Sequence, residues 1–105
     1  MIKYILICNI LFSPLQVCNA IYKAEGGAKA QYLYGIKSVH YSNANEAKEI
    51  CIRTIKHKWS TYEKDGRKGA FIDYLRDKYA PLSAAKVNAN WKKNVLYFLL
   101  KEAKK

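Results

Sequence analysis

From position 43 onward, apolar side chains return every third or fourth residue. Ala47, Ile50, Cys51, Ile55, Trp59 and Tyr62 form one stripe between polar positions, the period of a helix with a single buried face. Asn43 and Glu46 have capping-box spacing, so the helix starts there, and Asp65-Gly66 ends it. A second stripe, Phe71, Ile72, Leu75 and Tyr79, predicts a helix from about Gly69 to Tyr79, stopped by Pro81. Leu82 to Ala89 reads as a connector. Trp91, Val95, Phe98 and Leu99 predict a last helix from Asn90, with Lys101 to Lys105 matching its C-terminal dipole.

Upstream the pattern changes. Gln31 to Tyr41 is rich in Tyr, Val and Ile around Gly35 and predicts a short β-hairpin or extended segment near residues 31–41. Ala20 to Ala24 reads as a short helix, or the end of one, and Gly26-Gly27 closes it just after Glu25. The first twenty residues show no such stripe. Lys3 precedes an apolar run from Tyr4 to Val17, broken by Asn9, Ser13, Pro14 and Gln16, and Cys18-Asn19-Ala20 puts small residues at positions −3 and −1 of a cut after Ala20. That is the layout of a secretory signal. The run is too short and too interrupted for a good transmembrane span. The expectation is a signal peptide over residues 1–20 and one mainly α domain over 21–105. The protein is then exported, periplasmic or extracellular, or membrane-tethered if the signal stays attached. A buried N-terminal helix is the alternative.

Charge narrows the partners. Nineteen basic residues stand against eight acidic ones, a net +11 in 105 residues, which favours a polyanion: nucleic acid, anionic lipid or an anionic cell envelope. Half the chain is hydrophobic, which excludes a disordered chain. A cut after Ala20 removes Cys8 and Cys18 and leaves Cys51 alone in an apolar helical setting, as a buried inert thiol. His40 and His57 lack a second ligand at metal spacing, so neither a metal nor a cofactor is expected. There is no Gly-x-Ser-x-Gly elbow and no glycine-rich phosphate loop.

The acidic residues carry the remaining chemistry. Glu46, Glu49, Glu63, Asp73, Asp77 and Glu102 fall within helices, several beside basic partners such as Arg53 and Arg76, and read as solvated ion pairs; Asp65 sits in a turn. Glu25 differs. It ends an apolar helical stub before two glycines, where backbone or sugar can approach closely. Desolvation at such an end suits a general acid. A plain helix-end carboxylate is the other reading.

Ala24-Glu25-Gly26-Gly27, followed by Tyr34-Gly35-Ile36-x-Ser38, resembles the active-site segment of lysozyme-like muramidases and lytic transglycosylases. Phe71-Ile72-x-x-Leu75-x-x-x-Tyr79-Ala80-Pro81 resembles their later helix whose Tyr-Ala end faces substrate. Asn90-Trp91-x-x-Asn94-Val95-x-x-Phe98-Leu99 is similar to the last helix of short phage and plasmid members. The resemblance implies a small lysozyme-like helical domain that cleaves peptidoglycan glycan strands. Glu25 is then the catalytic acid, and Tyr34, Gly35, Ser38 and Tyr79 bind substrate. With no second carboxylate in a comparable setting, it implies a transglycosylase in preference to a hydrolase with paired acids. The basic surplus would hold such an enzyme on the anionic wall. The rival is an exported basic module without catalysis, binding the envelope or nucleic acid through Lys56-His57-Lys58-Trp59 and Trp91-Lys92-Lys93.

Overall fold

A computed structural model describes residues 4–29, 33–35, 40–79 and 90–104, with the backbone alone for residues 77–79. Among the described residues the chain is mainly helical, as the spacing predicts, with one small antiparallel hairpin. The described hairpin lies at residues 5–12, and the segment expected near residues 31–41 falls mostly outside the described residues. Strand β1 (Ile5–Ile7) pairs with β2 (Ile10–Phe12), Ile7 opposite Ile10 and Ile5 opposite Phe12. The two connecting residues, Cys8 and Asn9, both have positive φ, 53° and 62°, the requirement of the tight turn that matches strand twist. Ile5, Ile7 and Phe12 point into the core, while Leu6 and Leu11 point out. Within 31–41, residues 33–35 make one turn of 3-10 helix, and residues 31, 32 and 36–39 lie outside the described part.

Helix α1 (Pro14–Ala24) begins directly after the hairpin. Ser13 caps it: its hydroxyl accepts from the Gln16 amide at 3.1 Å, and its own amide donates to Gln16 Oε1 at 2.9 Å. This reciprocal pair satisfies two otherwise orphaned amides, and Pro14 occupies the first turn, where no amide is needed. Helix α1 therefore spans eleven residues ahead of Glu25, against the four-residue stub left by a cut after Ala20. Val17, Cys18, Ala20 and Ile21 are fully buried. The segment expected to be a signal peptide supplies six core side chains: Ile5, Ile7, Phe12, Val17, Cys18 and Ala20. A removable signal and this core make opposed demands on the same residues.

Helix α2 (Ala44–Lys64) follows the expected boundaries, with Asn43 Oδ1 accepting from the Glu46 amide at 2.9 Å. Its buried stripe is Ala47, Cys51, Ile55, Trp59 and Tyr62, with Ile50 half-buried at the edge. Gly66, at φ 85°, turns the chain away after it. Helix α3 (Phe71–Tyr79) buries Phe71, Ile72 and Leu75, and α4 (Trp91–Ala103) buries Trp91, Val95 and Leu99. An aromatic cluster joins α2 to α3: the Trp59 and Phe71 rings meet edge-on at 4.9 Å, and Tyr62 lies 5.2 Å from Phe71. Helix α1 packs most extensively on α4 and also touches α2, so it is the central element. Among the described residues, no helix is long and apolar enough to cross a membrane.

Candidate functional site

Glu25 caps the C-terminus of α1, its amide donating to the Ile21 carbonyl at 2.9 Å. The chain then turns through Gly26 and Gly27 at φ 111° and 61°, a region that costs a side chain about 1–2 kcal/mol. These glycines end the helix and lead the chain away from the carboxylate. The Glu25 side chain is half-buried. Its Oε1 accepts a hydrogen bond from the Trp91 indole Nε1 at 2.8 Å. Trp91 is the first residue of α4 and is itself only 6% exposed, so the donor is fixed by packing. This bond ties the carboxylate to α4 across the α1–α4 interface. The same interface carries a second bond at its far end, where Asn19 Nδ2 donates to the buried Glu102 at 3.0 Å.

Tyr34 lies in the same part of the molecule. Its ring packs 5.0 Å from Tyr22, which is on α1 within one turn of Glu25. Tyr34 adopts φ 57° and is buried, with its phenol pushed up to about 12, first by burial and then by the neighbouring Cys51 and Cys18 thiols. A phenol in this setting stays neutral and packs. The adjacent Leu33 amide donates to the Tyr41 hydroxyl at 2.9 Å, which pins the turn. Gly35 closes that turn. Ser38 lies outside the described residues, and Tyr79 ends α3 with its side chain outside them. The 3-10 turn with Tyr34 thus lies against α1 at Tyr22, one turn before Glu25.

Around this end, Asp73 ties α3 to α4. Its Oδ1 lies 2.8 Å from Lys92 Nζ and 3.3 Å from Arg76 Nη1. The Asp73–Arg76 pair is the one the spacing predicts; the link to Lys92 is not. With two cations on one oxygen, Asp73 reads as a structural anion beside Trp91. The basic–aromatic clusters of the rival reading lose their aromatics to the core: Trp59 is 5% exposed and Trp91 6%. Neither ring face is open for base stacking, and Arg67 already lies over Trp59 at 5.1 Å. A cavity of about 440 Å³ lined by Tyr62, Lys64, Asp65, Lys68 and Tyr74 opens beside the end of α2, and Glu25 is not in its lining.

No family model, curated protein or solved structure matches the chain.

Proposed function

We propose that the protein cleaves the glycan strands of peptidoglycan with Glu25 as the single general acid, in the manner of a lytic transglycosylase. The observation that carries this reading is the orientation of Glu25: a half-buried carboxylate at a helix end, before two positive-φ glycines, held by a buried indole N–H. A general acid must be aimed before it is useful, since proton transfer works only within hydrogen-bond reach of the leaving oxygen. The bond from Trp91 to Glu25 Oε1 supplies that aim.

In this mechanism Glu25 protonates the glycosidic oxygen between N-acetylmuramic acid and N-acetylglucosamine. The bond to the leaving sugar breaks through an oxocarbenium-like state. Glu25, now a carboxylate, takes the proton from a hydroxyl of the same sugar as that hydroxyl attacks, and an intramolecular ether forms. Single-acid chemistry fits the described carboxylates of α3 and α4. Asp73 is held by Lys92 and Arg76, and Glu102 is buried with Asn19 at the opposite end of α4. The net charge of +11 favours residence on an anionic wall, with affinity falling as salt rises.

The test is digestion of purified peptidoglycan by wild type and Glu25→Gln, with mass analysis of the products. Glutamine keeps the acceptor for Trp91 and removes the proton, so the fold stays while the rate falls by about 10²–10⁴. Products lacking the elements of water mark the transglycosylase route. Equal rates for the two proteins remove Glu25 from the chemistry. Salt-sensitive wall binding by both with no cleavage by either supports the non-catalytic module.

A further inference from the structure

Cysteine usage takes a different form in the folded chain from the one its spacing suggests. Cys18 lies on α1 and Cys51 on α2, both are 0% exposed, and the two helices pack against each other. Both side chains are buried there, and after burial itself Cys51 is the neighbour that raises the Cys18 thiol, through a hydrogen bond and its charge. Tyr34 is close enough to both for each to disfavour its ionisation. The third cysteine, Cys8, is exposed in the hairpin turn. The chain thus carries one internal pair and one solvent-facing thiol.

We propose that Cys18 and Cys51 form a disulfide that staples α1 to α2 and so fixes the helix that ends in Glu25. A disulfide needs a sulfur–sulfur bond of about 2.05 Å, and both sulfurs are buried on helices that pack together. The step is a two-electron oxidation. Two S–H bonds break, one S–S bond forms, two protons are released, and both electrons pass to a disulfide oxidant of the glutathione or thiol-oxidoreductase class, which is reduced to two thiols. The cross-link closes the long loop between positions 18 and 51, a span that costs the unfolded chain entropy and stabilises the fold. Burial and the hydrogen bond to Cys51 hold the Cys18 thiol far above the ordinary thiol range, so the folded protein forms little thiolate there. Oxidation therefore belongs to folding, or to transient opening of α1 from α2, and once formed the bond is shielded from reductants. The inference is independent of the glycan-cleaving reading and needs the chain with residues 1–20 attached.

The experiment is refolding of the full chain from urea in a glutathione redox buffer, followed by denaturation and alkylation of free thiols. The expected product is a monomer in which Cys8 alone is alkylated or carries glutathione. Cys18 and Cys51 remain unlabelled, and a peptide pair joining them separates on reduction. Cys8→Ser should give a protein with no free thiol and a mass lower by two hydrogens than its reduced form. Adding dithiothreitol should lower the thermal midpoint of that variant. Alkylation of both Cys18 and Cys51 in a refolded, helical monomer overturns the pairing, as does a cross-link that involves Cys8 instead.

Discussion

Removing residues 1–20 tests whether the N-terminal segment is part of the domain. It takes away Ile5, Ile7, Phe12 and Val17, all at 4% exposure or less, together with Cys18 and Ala20. Burying one large apolar side chain contributes about 1.5–3 kcal/mol, so those four amount to roughly 6–12 kcal/mol. The whole stability of a domain this size is about 5–15 kcal/mol. Deleting the segment also removes its own ordering cost, but the surfaces it covers on α2, α3 and α4 remain and go to water. Helix α1 would shrink to Ile21–Ala24, too short to hold itself. A protein of residues 21–105 should therefore show weak helical circular dichroism, no cooperative melt and collapsed amide dispersion in NMR, while residues 1–105 melt cooperatively. If 21–105 melts cooperatively within a few degrees of the full chain, the hairpin and the first half of α1 are dispensable and the argument from burial fails. N-terminal sequencing of protein recovered outside the cytoplasm decides the same point in vivo. A start at Ile21 identifies a cleaved signal, and a start at or near Met1 shows that the segment stays with the domain.

Other perturbations follow from single contacts. Trp91→Phe removes the donor to Glu25, a hydrogen bond to an ionisable group; stability should drop by about 1–3 kcal/mol in urea melts. Wall cleavage should fall roughly tenfold or more as the acid loses its aim; unchanged cleavage would show that Trp91 packs without positioning. Trp59→Ala deletes the centre of the Trp59–Phe71–Tyr62 cluster and should cost about 3–5 kcal/mol by chemical denaturation; a shift below 1 kcal/mol means the cluster is solvated. Tyr34, with its phenol raised from 10.0 to about 12, contributes stability that is complete below pH 10 and is lost as pH climbs through 12. Tyr34→Phe should flatten the alkaline end of the stability curve, and an unchanged slope between pH 10 and 12 would place the ionisation elsewhere.

The three later helices were legible because their stripes alternate with polar residues: Ala47, Cys51, Ile55, Trp59 and Tyr62 face in, while Arg53, His57 and Glu63 face out. The first half of the fold was not, for a physical reason. Its hairpin is apolar on both faces: Ile5 and Ile7 are buried, but Tyr4 at 59%, Leu6 at 38% and Leu11 at 61% are exposed. An alternation of buried and exposed positions leaves no trace when both kinds are hydrophobic. The turn hid as well, since Cys8-Asn9 replaces the glycine that usually reveals positive φ. At the site, Glu25 was found through its glycines, but nothing local points to Trp91, because contacts between the ends of α1 and α4 obey no sequence period. One signal for α1 is present in the sequence: Ser13-Pro14-Leu15-Gln16 carries both a capping box and a first-turn proline. Hydrophobicity cannot separate a signal segment from a core segment, because both are selected for leaving water. Polar punctuation can, because a secretory signal gains nothing from a reciprocal Ser–Gln cap, whereas a helix that must start at a fixed place in a folded core does.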